Sequence, residues 1–571
     1  MPRLERRYQL LLIVFVVLGI FYPAIFAGVS SVDDYKMLQI LSDGTFNLHG
    51  LFLPNGSFYY RPLLMLTFWF DQLLWAGTPS FMHLENILLH AANAVLVYFL
   101  VEKALRQFAG EVGMAPLLAG LLFAVHPITT ESVNWISGRT DLLGTFFVLL
   151  TSLALLTAGA RRSLWWVLLS AGLFACAIMS KEIMVFFLPP ACLLLWHAAG
   201  SSRAALRLVL VFILPFVLLG ATFFALRLLL LSPSAHGLSD LLAKWRYDLF
   251  DTVRVSFKVF GFYVKKLFVP VPLNFTIRQV SELYTPFGIG AVIASGWLLA
   301  RHYRQFFPFA VAFWMIGPAV VLALTSIAWT PLAERYIYLS AAFVAAGIAP
   351  LLRQVGRLFS PQFGLLLLTI LLASATTVTA QRTLVWQDNY LLFADTLRQN
   401  PDFAAAHNEL GIALKEKGRT AEAGNVLQAA IDSGKGKGNP LLYVNLANVH
   451  LGHKEFLRAR RCLQESFVGL DAANLEVIKM LAKVSEAALR HGDLLGFSDK
   501  QTFLEDMVKT YRVIYARNGD TSQLYRAGQL LLPLKRDDEA ALVFAEVAEK
   551  APKDAFYYAA ATKLAVKLRP Q

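Results

Sequence analysis

Between Leu10 and Ala380 the chain runs through one apolar stretch after another, each bounded by a short charged or Gly/Pro-containing break. A run of roughly 17–25 apolar residues is what a helix needs to cross the hydrocarbon of a bilayer. By that criterion about eleven spans are expected, over 10–28, 81–100, 114–125, 142–158, 163–179, 183–197, 206–231, 286–300, 306–327, 336–352 and 363–380. The third is short. Across all 571 residues 57% are hydrophobic and the mean hydropathy is +0.53, far outside the range of soluble domains. The expected class is all-α: a polytopic membrane helix bundle, followed by a helical repeat domain.

The net charge of +13 does not point to nucleic acid. Its excess cations sit in short clusters between apolar runs: Lys103/Arg106, Arg161/Arg162, Arg203/Arg207, Arg301/Arg304 and Arg353/Arg357. With the N-terminus cytoplasmic, all of these fall on the cytoplasmic side, as the positive-inside rule requires. Arg3, Arg6 and Arg7 before the first run resemble a signal peptide, but the run is long and has no small-residue cleavage site, so a retained anchor is expected. An odd number of spans puts the C-terminal part on the outer side. Two apolar stretches are set apart. Residues 62–76 are short for a span and suit an interfacial or re-entrant element. Residues 249–268 carry Arg254, Lys258, Lys265 and Lys266 on a helical period and suit an amphipathic helix on the outer surface.

From Trp386 onward the apolar runs stop and helical amphipathicity takes over. Residues 406–430 contain Leu410, Gly411, Ala423, Leu427 and Ala430. Leu446, Ala447, Ala459, Leu463 and Ser466 repeat that spacing, and Gly528, Ala540, Phe544 and Pro552 mark a later copy. Residues 468–521 are expected to hold a degenerate copy with an insertion. Small residues at such spacings let paired helices pack closely, as in tetratricopeptide repeats, so 1–385 and 386–571 are expected to be a membrane domain and an α-solenoid.

Topology gathers the unusual polar residues on the outer side: Asp33, Asp34, Arg61, His126, Glu131, Arg139, Asp141, Lys181, Glu182, Glu334 and Arg335. Charges at a membrane edge are a functional-site hypothesis by default, although wet loops also carry charges. Asp33 and Asp34 follow the first span directly. One can take a proton from an acceptor hydroxyl while the other tunes it; equally, Asp33 can cap a helix running to Leu41. His126, Arg139, Lys181 and Arg335 are candidate ligands of a donor phosphate. Glu131, Arg61, Glu182 and Tyr336 are candidates for positioning acceptor or sugar. The competing readings are local ion pairs: Glu131, Arg139 and Asp141 in one loop network, Lys181 with Glu182, and Arg335 with Glu334 or a lipid headgroup. His83, Glu85, Asn86, His90 and Asn93 share one face of the second span, which suits interhelical hydrogen bonds better than a metal. Cys176, Cys192 and Cys462 have no paired spacing, so neither a disulfide framework nor a zinc site is expected. The sequons at Asn55 and Asn274 are no more than chance supplies. A transporter fits poorly, since no inverted repeat is visible.

These residues resemble the transmembrane and tetratricopeptide-repeat-containing glycosyltransferases of the GT-C superfamily, which are protein O-mannosyltransferase-like. The resemblance rests on Asp33-Asp34 and on Tyr60-Arg61-Pro62-Leu63. It continues through His83-Leu84-Glu85-Asn86 with His90 and Asn93, Val125-His126-Pro127, Glu131 to Trp135, and Gly138-Arg139. Ser180-Lys181-Glu182, Glu334 to Tyr338 and Ala406 to Gly411 complete it. It implies inverting transfer of a sugar, typically mannose in eukaryotic members, from a polyprenyl phosphate on the outer or lumenal side, with Asp33 or Asp34 as base. The polyprenyl-phosphate sugar is then the donor and a protein or glycan the acceptor, met through the repeats. No cofactor is called for; a divalent metal is compatible with such chemistry but not indicated. The leaving group is already a phosphate, so no general acid is needed. The short repeat domain departs from the better-known eukaryotic members, and a bacterial inner-membrane protein with periplasmic repeats is expected, or an ER membrane protein if eukaryotic. The alternatives are a ligase or polymerase of lipid-linked polysaccharide and a non-catalytic scaffold acting through its repeats.

Overall fold

The computed structural model describes residues 5–42, 61–200, 202–230, 244–326, 330–358, 361–434, 439–467 and 473–568. Asn55 and Tyr60, singled out above, lie outside them. Among the described residues the regular structure is helical, and the chain divides into two compact units, Met1–Asn400 and Pro401–Gln571. Residues 386–400, assigned to the repeats on sequence pattern, pack within the first unit: the Gln387 and Asn389 amides donate to the carbonyls of Pro23 (2.7 Å) and Val29 (3.1 Å).

Among the described residues of the first unit six helical stretches are long and apolar enough to cross a membrane: Arg6–Phe26, Pro79–Phe108, Ile136–Arg161, Tyr284–Leu324, Glu334–Leu352 and Gln362–Val385. The chain is a membrane protein on this ground. Several expected spans are built otherwise. The third is the ten-residue helix Ala115–Ala124, about 15 Å long at 1.5 Å per residue, half the hydrocarbon thickness of about 30 Å. The sixth is divided into a 3-10 turn, Glu182–Phe187, and the helix Leu188–Ala198, with prolines at its first turn. The eighth and ninth lie in one helical stretch, Tyr284–Trp314, broken at His302 (φ −131°, ψ 38°). Its two limbs rest on the same partner: Tyr284 against Phe262, and Phe313 against Phe260.

That partner is the helix Leu249–Phe268, with the boundaries its sequence pattern predicts. Asp248 caps it, accepting from the Asp251 N–H (2.8 Å). Lys265 and Lys266 occupy its last turn, where they complement the helix dipole. Its Gly261 is required by close approach, since a Cβ there would lie 2.4 Å from the Tyr284 carbonyl oxygen.

The polar face of Pro79–Phe108 turns into the bundle. Asn86 donates to the Trp135 carbonyl (2.9 Å), Asn93 to that of Leu142 (3.0 Å), and His90 bridges the Tyr338 hydroxyl (2.7 Å) and the Ala124 carbonyl (3.2 Å). The bonds to Trp135 and Ala124 satisfy carbonyls that helix ends leave open inside an apolar bundle.

The second unit is an α-solenoid of successive helix pairs, Ala404–Glu416 with Thr420–Asp432, then Pro440–Gly452 with Phe456–Glu465. The region expected to hold a degenerate copy contains Leu475–Arg490 and the long helix Phe497–Asn518, followed by the pair Thr521–Leu531 and Asp537–Lys550. The small residues act as the repeat pattern requires: a Cβ on Gly411 or Gly528 would lie 2.7 Å from the side chain of Leu427 or Phe544.

Candidate active site

The loop leaving the first helix turns at Asp33 into the helix Asp34–Ser42. Asp33 occupies the cap position, its carbonyl accepting the Met37 N–H (3.1 Å), and its side chain is half-buried. Asp34 is 1% exposed. Its Oδ1 accepts both the backbone N–H (3.0 Å) and the hydroxyl (2.5 Å) of Ser137, and its Oδ2 accepts the Ser30 N–H (3.2 Å). Burial pushes the Asp34 carboxyl up to about 6; the bonds from Ser137 and Ser30 hold it from going higher, and the Asp33 charge adds to the rise.

Ser137 lies in a tight turn, Ile136–Gly138, between the short helix Thr129–Asn134 and the helix Arg139–Arg161. A Cβ on Gly138 would lie 2.4 Å from the Ser132 carbonyl oxygen. This turn is therefore closed against its own helix, and it presents Trp135, Ser137 and Arg139 in three directions.

The charged residues adjacent in sequence do not pair locally. Lys181 binds Asp141 (2.5 Å), while Glu182 receives a two-pronged bond from Arg61 (2.9 and 3.1 Å). Arg335 pairs with Glu131, whose other oxygen accepts the Arg335 N–H (3.0 Å), while Glu334 pairs with Lys266 (2.7 Å). Lys181 sits on extended backbone and Glu334–Ile337 on a 3-10 turn, and both geometries send neighbouring side chains apart. The guanidinium of Arg335 lies over the rings of Trp135 (5.0 Å) and Tyr336 (4.8 Å), and the Lys181 ammonium lies 6.0 Å from the centre of the Tyr336 ring. Lys181, Arg335, Tyr336 and Trp135 thus form one cluster. Burial pushes the Lys181 ammonium down; Asp141 opposes this, and the positive charges of Arg61 and Arg335 reinforce it.

Two of the candidate phosphate ligands are committed elsewhere. Arg139 is fully buried: it pairs with Asp71 (2.7 Å) and Glu85 (3.1 Å), donates to Asn86 (2.9 Å) and the Met82 carbonyl (3.0 Å), and lies over Phe68. No face of its guanidinium is left for a ligand. His126 uses Nε2 on the Leu267 carbonyl (3.1 Å) and Nδ1 on the Ile128 N–H (3.3 Å). Burial pushes its imidazole down to about 4, so it is neutral at pH 7. It fastens the Val125–Thr129 corner to the helix Leu249–Phe268. Glu131 is likewise spent on Arg335, so it positions that cation and leaves no free oxygen for an acceptor.

Sequence reasoning passed over Ser137 and Asp71, and named Trp135 only as part of the family resemblance. Ser137 falls between two of the motifs that carry that resemblance, in neither of them. Asp71 lies in the helix Pro62–Trp75, set aside as too short to span. Among the described residues no group of three or more His, Cys, Asp or Glu side chains is placed to hold a metal ion.

No family model matches the chain. It is similar to Protein O-mannosyl-transferase TMTC4 of Mus musculus, 42% identical over 140 residues, a match covering 22% of this chain and 19% of that protein. Protein O-mannosyl-transferase TMTC3 of the same organism is 34% identical over 188 residues, 30% of this chain and 20% of the relative. Protein O-mannosyl-transferase Tmtc3 of Drosophila melanogaster matches over 586 residues at 24% identity, covering 84% of this chain and 59% of the relative. The chain therefore spans only part of the length of these relatives. All three are eukaryotic, and they give no support to the bacterial source expected above. Among solved structures, yeast Tom70 covers 83% of this chain and 95% of its own at 12% identity, with a TM-score of 0.17, too low to bear on the fold.

Proposed function

We propose that the chain is an integral-membrane glycosyltransferase that moves a sugar from a polyprenyl phosphate to a hydroxyl of a protein. The names of its relatives support sugar transfer to protein, with mannose as the first sugar to try. The observation that carries the reading is the Trp135–Ser137 turn. One end holds Asp34 of the acidic loop and the other stacks on Arg335 of the cation cluster, so the acidic loop and the leaving-group stabiliser are tied to the same three-residue stretch of backbone.

In the proposed reaction the acceptor oxygen attacks the anomeric carbon and the bond from that carbon to the phosphate oxygen breaks. The configuration inverts, the electron pair leaves on the polyprenyl phosphate, and the hydroxyl proton passes to Asp33. Asp33 is assigned the base because it is the more accessible of the two, half-buried at the loop where Asp34 is 1% exposed. Asp34 holds the loop in place. Lys181, Arg335 and Arg61 stabilise the departing phosphate, each kept in position by its own carboxylate. Tyr336 and Glu182 border the sugar. The unit Pro401–Gln571 is assigned the binding of the protein acceptor.

The test is incubation of the purified full chain with a panel of polyprenyl-phosphate sugars and acceptor protein, following release of polyprenyl phosphate. Sugar-dependent release that requires acceptor supports the reading; no release with any donor refutes it.

A further inference from the structure

A recess lies toward the Phe108 end of the helix Pro79–Phe108, away from the charged cluster. It is a cleft of about 310 Å³ where six helical segments converge, and its wall is apolar: Leu105, Phe108, Leu194, Val311, Phe343 and Ala346 are representative. Leu100 to Ala109, the last turns of Pro79–Phe108, form one side. The contacts of that helix with Arg139 are made by Met82, Glu85 and Asn86. Fourteen or more residues of helix, on the order of 21 Å at 1.5 Å per residue, therefore separate the cleft from the charged cluster. The volume is at the lower end of ligand pockets, about 300–1,000 Å³.

The polar groups of the cleft are confined to one stretch of its rim, and none is acidic. They are His197, Arg304 and Gln305. The His197 Nδ1 is taken by the Tyr303 hydroxyl, and its ring packs 4.4 Å from that of Phe108, centre to centre. Arg304 is exposed, and among the described residues it has no carboxylate partner. Arg6 and Arg106, at the same end of the helix, both bind Glu102, and Arg304 is the cation among the residues that line the cleft. The kink at His302 turns the two limbs of Tyr284–Trp314 at this point and sets Arg304 at the cleft's edge.

We propose that this cleft is a lipid site that takes one acyl chain of an anionic glycerophospholipid, with Arg304 receiving the phosphate. In this proposal the acyl chain enters the apolar recess from the surrounding hydrocarbon, and the guanidinium at its rim selects among headgroups by charge. The assignment is independent of the reaction proposed above.

The experiment uses the full chain in bilayer discs containing equal amounts of phosphatidylglycerol, phosphatidylcholine and a polyprenyl phosphate, released into native mass spectrometry. The wild type is expected to retain one phosphatidylglycerol in preference to phosphatidylcholine. Ala104→Phe, at a half-buried position on the cleft wall, is expected to abolish retention. Arg304→Gln is expected to keep a lipid but to lower the headgroup preference about fivefold, the worth of one cation near an anionic surface. If Ala104→Phe does not fold, the exposed Arg304→Gln decides alone. Equal retention of both glycerophospholipids by the wild type, undiminished retention in folded Ala104→Phe, an unchanged preference in Arg304→Gln, or selection of the polyprenyl phosphate would each overturn the proposal.

Discussion

Asp34 and Ser137 are joined twice, Oδ1 accepting both the backbone N–H and the hydroxyl of a residue 103 positions later. This joint fixes where Asp33 points. The two aspartates then differ in what their loss does. Asp33→Asn is expected to abolish transfer with little change in thermal unfolding. Asp34→Ala leaves the N–H groups of Ser30 and Ser137 without acceptors, at about 1–3 kcal/mol for each buried group, so its unfolding temperature falls along with activity. Equal unfolding temperatures for the two variants would contradict the division of roles.

The same joint has a pH signature. The folded carboxyl of Asp34 titrates near 6, against an ordinary 3.8. The native state therefore binds this proton more tightly than the unfolded chain does. Its contribution is present in full below about pH 4 and is lost as the pH rises through 6. Ser137→Ala removes one of the bonds that lower this value, so the acid limb of the rate profile should move to higher pH. A profile that stays put, measured on folded protein, would show that Asp34 ionisation does not govern the site.

Arg139 and Arg335 test the difference between a structural and a ligand-binding guanidinium. Arg139→Met leaves Asp71 buried without its cation and is expected to cost about 3–5 kcal/mol of stability. Asp71→Leu in the same chain should recover part of this, because the pair is then removed whole. Donor KM of whatever protein folds should be unchanged. Arg335→Lys is expected to do the reverse: it keeps the charge but loses the planar fork, raising donor KM about tenfold or more with a small effect on unfolding. A KM effect in the Arg139 variant would return that residue to the phosphate site.

Some of this was legible from pattern alone. The helix Leu249–Phe268 shows its bounds through Asp248 and the paired lysines, and Gly411 and Leu427 announce their contact by repeat spacing. Lengths and charges of this kind are local properties. The pairing of the charges is not local. Lys181 beside Glu182 reads as an ion pair, yet each finds its partner dozens of residues away. Arg139 reads as an outer-loop cation because hydropathy cannot show that Asp71, on a short helix set aside as interfacial, lies against it. Ser137 carries no pattern signal, because a serine becomes informative only when its acceptor is known.

Gly138 supplies the sharpest test of the turn that unites the site. A Cβ there meets backbone atoms, 2.4 Å from the Ser132 oxygen and 2.9 Å from its Cα, so nothing can swing aside. Gly138→Ala must displace the turn, and Trp135 and Ser137 move with it. The expected cost in stability is about 1–3 kcal/mol, in line with overpacking elsewhere. Transfer should fall further than that, because Asp33 and Arg335 lose their common support together. Gly411→Ala is the control. Its Cβ meets only the Leu427 side chain, at 2.7 Å in the second unit, so it strains packing without touching the turn. Transfer per folded molecule is then expected to drop in Gly138→Ala and to hold in Gly411→Ala. Wild-type transfer in Gly138→Ala would separate the acidic loop from the cation cluster and remove the basis for placing both in one reaction.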